Sequence, residues 1–404
     1  MTSSDLSPQF TVWRAILVLA VVFVMMSTTG WTAVRLHKDG LGAVPAAVAA
    51  WNDATLPGGR QIPDADASSG RLAHFFSRLD QAQRVRLAER HPLVVGNLNG
   101  APVALRYRAN RAALENARAA ERRRSRDADV PVRGRQDAAR LVHRFDSMLR
   151  PGRQILAFDP TGTGRAAEVF GDLDRAKRVS VVVPGVDTNL MTYERSARRY
   201  SAPQGMASAL YDAQRAAAPR VGSAVIAWAD YSAPVGVGMD AMLGKRAETG
   251  AGRLHALLDG LPKGADTTLF CHSYGSVVCG VAAPDLPDRV TDVVVAGSPG
   301  MRVSNAAELR TGARVWAARD ADDWIADVPH LELGGLGHGA DPVAAGFGAR
   351  VVSADRAVGH TGYFTPGTES LANFAEIGTG AYAGVTCAGG ADACHDGISG
   401  GSGT

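Results

Sequence analysis

Ser273 is the residue whose surroundings best equip it for chemistry. It sits in the run Thr267-Thr268-Leu269-Phe270-Cys271-His272-Ser273-Tyr274-Gly275-Ser276-Val277-Val278-Cys279-Gly280-Val281. An apolar, strand-like segment leads straight into the serine. Small residues stand two places before and two places after it, and a helical pattern follows until Pro284. This is the strand–elbow–helix setting of a G-x-S-x-G nucleophile, with Cys271 in place of the first glycine. Small neighbours let the backbones approach, and the sharp turn lifts the hydroxyl above a sheet. The amide of Tyr274 then points into the site from a helix N-terminus, where developing negative charge is favoured. The plain alternative is a serine that only caps that helix.

A hydroxyl needs a base to become nucleophilic, and the base needs an acid to orient it. Where such elbows occur the chain order is serine, acid, histidine, and both partners follow in that order. Val315–Ala318 reads as a strand running into Arg319-Asp320-Ala321-Asp322-Asp323-Trp324-Ile325, so Asp320, Asp322, Asp323 and Asp327 are all candidate acids. Arg350-Val351-Val352 reads as the last strand, and Gly359-His360-Thr361-Gly362 follows it, which makes His360 the expected base. His338 is second choice. His272, although next to the serine, should point to the other side of the turn. The second oxyanion donor is expected in Val183-Pro184-Gly185-Val186-Asp187, as the amide of Val186, with Asp187 a candidate helix cap. The Cys and His residues lack metal-ligand spacing, and the chemistry calls for no metal or organic cofactor.

These groups must be positioned by a scaffold, and residues 151–376 supply its pattern. Eight short apolar runs alternate with helical stretches: 154–158, 166–170, 178–183, 224–228, 267–271, 292–296, 313–318 and 349–352. Most are continuously apolar, as strands covered on both faces are. Alternation with helices implies a mostly parallel sheet, with reactive groups at its carboxyl edge. Residues 71–150 read as a helical layer without chemistry of its own, 38–70 as a Gly/Pro-rich linker, and 377–404 as a loose Gly-rich tail. Tyr231–Met239 reads as a flexible cap over the site. Cys387 and Cys394 are a candidate disulfide if the compartment is oxidising, with two free thiols as the alternative, whereas Cys271 and Cys279, on a strand and the helix after it, are not expected to meet.

Within residues 1–37, the apolar run Ala15–Met26 continues without charge to Val34, close to the ~20 residues that span a bilayer. Its position reads as a membrane anchor or an export signal, placing the catalytic domain outside the cytoplasm. A net charge of +3 gives no case for nucleic-acid binding. The dense arginines 122–124 and 126 read as a solvated helix end, with anionic lipid as the sharper alternative.

Over residues 71–376 the chain resembles an actinobacterial α/β-hydrolase family of largely unknown function, which is predicted to carry a Ser-His-Asp triad. The resemblance rests on Val94–Gly100, Ala109-Asn110-Arg111, Gly171-Asp172-Leu173, Val183-Pro184-Gly185 and His272–Ser276. Gly297-Ser298-Pro299-Gly300, Asp323-Trp324-Ile325, His338–Pro342, Phe347-Gly348-Ala349 and Gly359-His360 complete it. It implies an α/β-hydrolase fold and, through its Asp-any-Ile/Val pattern, puts the acid at Asp323; at Cys271 the family usually has Gly. The expected activity is hydrolysis of carboxylic esters through an acyl-enzyme, on a small-molecule or lipid-like ester, the latter suggested by the membrane segment alone. The rival is a non-catalytic binding or envelope-structural protein on a hydrolase-like fold.

Overall fold

The computed structural model describes residues 43–398, apart from 57, 58, 60, 334 and 391. The apolar run expected to meet a membrane lies outside these residues. Among the described residues no helix is long and apolar enough to cross a membrane.

Helices α1 (Ala43–Asn52), α2 (Ser69–Ser77), α3 (Gln81–Arg90), α4 (Pro92–Val95), α5 (Val103–Arg126) and α6 (Val132–Met148) come first. Strands β1 (Gln154–Asp159), β2 (Arg165–Gly171) and β3 (Arg178–Val183) follow, then α7 (Pro203–Ala217), β4 (Ser223–Ala229), α8 (Met239–Met242) and α9 (Lys245–Gly260). The chain continues through β5 (Asp266–His272), α10 (Gly275–Ala282), β6 (Val290–Ala296) and β7 (Arg314–Ala318). The short pair β8 (Glu332–Leu333) and β9 (Leu336–Gly337), β10 (Arg350–Val351) and α11 (Glu369–Thr379) complete it.

All eight apolar runs read from the sequence lie in one sheet, ordered β1-β2-β4-β3-β5-β6-β7-β10. Only β2 runs against its neighbours; the other pairings are parallel. The period-two alternation sends successive side chains into different layers. Val181, Val183, Leu269, Val293 and Val295 pack with Leu254 and Leu258 of α9 and Val277 and Val278 of α10. Val182, Phe270, Val294 and Trp316 pack on the other face, with Met206 and Leu210 of α7 and Phe374 and Ile377 of α11. Both faces are covered, so the strands read as unbroken apolar runs.

The helical layer has a definable task at β1, the edge strand. Asn97 accepts from the Phe158 amide at 3.0 Å and donates to the Phe158 carbonyl at 2.8 Å, as a neighbouring strand would. Asn110, fully buried on α5, donates to the Ile155 carbonyl at 3.0 Å and to the Gly96 carbonyl at 2.9 Å. The asparagines of two of the motifs are thus structural.

Two segments depart from expectation. Residues 38–70 are not a plain linker: α1 falls within them, and Trp51, Leu56 and Ile62 are buried with Leu72, Phe76 and Leu105. The Trp51 indole donates to the Pro63 carbonyl at 2.8 Å. Isolated apolar anchors in Gly/Pro-rich sequence carry no periodicity, which is why the packing was not legible. The described tail residues 382–390 and 392–398 are not loose either. Tyr382 donates to buried Asp292 at 2.8 Å and lies 4.4 Å under the Arg314 guanidinium. Cys387 is bonded to Cys394, and Val352 bridges to Cys387. Trp51→Ala is expected to cost about 3–5 kcal/mol, read as a fall in the denaturant midpoint; a surface linker would give almost no change.

Candidate active site

The chain reverses sharply at Ser273. Its φ of 55° lies in the left-handed region, which a residue with a side chain enters only under constraint. The Ser273 amide donates to the Ala296 carbonyl at the end of β6, 2.9 Å away. Ser276 donates to the Ser273 carbonyl at 2.6 Å, and Ser298 donates to Ser276, also at 2.6 Å. Space completes the constraint. A Cβ at Gly275 would collide with the Val183 carbonyl oxygen, and one at Gly185 would come within 2.6 Å of Ser273 Cβ. Both glycines are therefore demanded by close approach between the β3 loop and the turn.

A disulfide joins Cys271 to Cys279, against the expectation that these residues never meet. The reason is the reversal itself. Helix α10 runs back alongside β5, so the residue two before the serine and the residue six after it face each other, with Cα atoms 6.5 Å apart. The cysteine at the first motif position is half of a covalent clamp across the turn. Cys387–Cys394 is the second disulfide, the bonded one of the two alternatives the sequence left open, and among the described residues no cysteine is free.

The structure brings together Ser273, His360 and Asp323. His360 Nε2 lies 2.8 Å from Ser273 Oγ, and His360 Nδ1 lies 2.9 and 3.1 Å from the two Asp323 carboxylate oxygens. An ionised carboxylate only accepts, so Nδ1 carries the proton and Nε2 is left to accept from the serine hydroxyl. Asp323 is buried, whereas Asp322 and Asp327 are exposed. Asp320 instead accepts from the Gly359 amide at 2.7 Å, holding the loop that carries His360. Asp323 is turned inward by a short turn, Trp324–Asp327, whose Ile325 amide it accepts at 2.9 Å. The buried Ile325 gives the Asp-Trp-Ile pattern its physical sense.

Burial alone would raise the Asp323 pKa; hydrogen bonds from His360, Tyr363 and the Ile325 amide hold it below its ordinary value. Tyr363 went unassigned in the sequence. Its hydroxyl donates to Asp323 at 2.5 Å and accepts from the Asp320 amide at 3.0 Å, three residues beyond His360. His272 is not merely turned away: its Nε2 donates to the His360 carbonyl at 2.6 Å, beneath the base. Burial, then the nearby His360 charge, pushes its pKa down to about 3, so it stays neutral. His338 makes no bond to Ser273. It packs edge-on against Tyr274, with ring centroids 5.7 Å apart, and burial pushes its pKa down to about 4.

Tyr274 precedes α10, and its amide has no protein acceptor among the described residues; nor has that of Val186. The loop carrying Val186 is pinned where Tyr231 donates to the Pro184 carbonyl at 2.6 Å. Asp187 caps no helix. It accepts from the Gly236 amide at 2.8 Å and ties that loop to the segment after β4. Among the described residues one group of potential metal ligands gathers, Cys387, Cys394 and His395, and its two sulfurs are bonded to each other.

Strand order, the single reversed strand and the loops that carry these groups are those of an α/β-hydrolase fold. A family model described as alpha/beta hydrolase matches residues 159–333. An uncharacterized protein of Mycobacterium tuberculosis is 28% identical over 383 residues, covering 79% of this chain and 57% of the relative. An uncharacterized protein of Mycobacterium bovis is 33% identical over 168 residues, covering 39% of this chain and 62% of the relative. The chain thus spans little more than half the length of the first of these. A dienelactone hydrolase structure from Anabaena variabilis aligns over 58% of this chain and 99% of its own, at 15% identity and a TM-score of 0.34. These matches support an α/β-hydrolase fold for the chain and a likeness to mycobacterial proteins described as uncharacterized.

A carboxylate held below its ordinary pKa stabilises the fold above that ordinary value, 3.8, and the contribution is lost as pH falls through the folded value. Tyr363→Phe removes one of the donors. It is expected to destabilise the protein by about 1–3 kcal/mol near neutral pH, with the difference from wild type narrowing below pH 3.8. Urea titrations on either side of that value check both statements.

Proposed function

We propose that the protein is a serine hydrolase that cleaves carboxylic esters through an acyl-enzyme. Ser273 Oγ attacks the ester carbonyl carbon while His360 Nε2 takes its proton. Asp323 fixes the imidazole and balances the imidazolium that forms. The oxyanion is held by the Tyr274 and Val186 amides, at a helix N-terminus and on a pinned loop. Collapse breaks the bond to the alcohol oxygen, which leaves with the proton from His360. Water then attacks the acyl-serine, giving its proton to His360, and the acid departs as Ser273 recovers its hydrogen.

The observation that carries this reading is the 2.8 Å approach of His360 Nε2 to Ser273 Oγ, with Nδ1 committed to a buried carboxylate. The strained φ of Ser273 supports it, since such strain concentrates at functional sites. Cys271, which could have signalled a non-catalytic relic, has a structural role in the disulfide. Two disulfides and the apolar run ahead of residue 35 support a domain held at, or exported across, a membrane into an oxidising compartment.

A fluorophosphonate should label the wild-type protein and fail on Ser273→Ala. Ester turnover should drop by roughly 10⁴–10⁶-fold in Ser273→Ala and in His360→Ala, with circular dichroism unchanged. A folded wild type that resists the probe and leaves a panel of nitrophenyl esters intact would sink the enzymatic reading.

A further inference from the structure

Scattered apolar side chains on a surface are ordinary; apolar side chains gathered in one place are not. Among the described residues, every exposed large apolar side chain except Val132 lies in the connection that leaves the carboxyl end of β3, β4, β7 or β10, Met239 and Met242 on the short α8 and Leu336 on β9. These are loops around Ser273. Val235 and Val237 are 75% and 65% exposed, Leu331 58% and Val358 81%.

Each part of this ring is tied to the site. Trp324, also exposed, packs its ring 4.7 Å from that of His360. Val358 stands two residues before His360. The segment bearing Val235 and Val237 is held to the loop of Val186, where the Asp187 amide donates to the Pro234 carbonyl at 2.9 Å. Leu243 bridges to Leu336 of β9, and its carbonyl accepts from the Tyr274 hydroxyl at 3.4 Å. The apolar surface therefore lies on several independent connections at the edge of the sheet that carries the Ser273 hydroxyl.

We infer that this ring docks on a lipid–water interface and that the ester is a water-insoluble one presented there. The inference rests on the esterase reading for its substrate, though not for its docking face. A second observation fixes the occupant. Val44 and Val48 of α1 line one cavity with Asp159 and Asp230, which end β1 and follow β4. Helix α1 thus lies along the same carboxyl edge as the ring. The apolar run ends at Val34, and the eight residues Arg35–Gly42 span at most about 28 Å when extended. An apolar ring covered by acyl chains gains what it loses in water.

The test uses the full chain. All four cysteines are bonded in pairs, so Val237→Cys offers a single free thiol for an environment-sensitive fluorophore, with Val132→Cys as the remote control. On phosphatidylcholine vesicles or tributyrin droplets, the label at 237 should brighten and shift to shorter wavelength while that at 132 stays as in buffer. Equal responses, or none at 237, overturn the docking face. Wild-type turnover of tributyrin should jump as its concentration passes the solubility limit. Combined Met242→Ser, Leu331→Ser and Leu336→Ser should lower turnover of dispersed tributyrin about tenfold and leave turnover of dissolved nitrophenyl acetate at the wild-type level. A triple variant equal to wild type on droplets overturns the substrate class. A wild type inactive on both esters removes the esterase reading instead, and the two labels still decide the docking face.

Discussion

A single hydrogen bond, from Ser273 to His360, spans 87 residues of chain and sets the demands on everything around it. Each partner rides on a loop at the carboxyl edge of the sheet, so strand order and register must hold both loops in place. The turn at Ser273 is unfavourable in isolation. It persists because the Ala296 carbonyl, the Ser276–Ser298 pair and the covalent link across the turn all act on the same few residues. On the other side, Asp320 grips the Gly359 amide and His272 the His360 carbonyl, so the imidazole is fixed from its backbone as well as through Asp323. Preorganisation of this kind would remove reorganisation from the ester cleavage proposed above.

The helical layer and the tail serve the same end at a distance. Asn97 and Asn110 close the free edge of β1, which would otherwise expose unpaired backbone groups. At the other edge, Asn373 donates to the Ser353 and Thr386 carbonyls, and the Cys387–Cys394 hairpin lies against β10. A sheet sealed at both edges cannot slide in register without breaking buried polar contacts, so the loops it carries stay aligned.

Much of this was legible in the sequence, for identifiable reasons. Strands covered on both faces announce themselves as unbroken apolar runs, so all eight were found within one or two residues. The turn at Ser273 was legible because steric contact demands the glycine two places after it. The acid was not legible from the residues alone, because four aspartates share one loop and only tertiary structure buries one of them. Family resemblance pointed to Asp323; the inward turn capped on the Ile325 amide is the physical basis for that pattern. The roles of Tyr363 and His272, and the Cys271–Cys279 bond, depend on distances across the reversal, which no local pattern encodes. Residues 43–62 escaped because Trp51, Leu56 and Ile62 follow no period.

The bond between Cys271 and Cys279 also makes maturation of the site an oxidative event. Both sulfurs end up sealed in the core, out of reach of solvent. The link must therefore form before that core closes, while the emerging chain is still open to an oxidant. A chain that collapses first would trap two thiols behind the serine. Production in a reducing cell interior would then yield a protein of unaltered mass to within two hydrogens per missing link, yet one whose turn relies on packing alone.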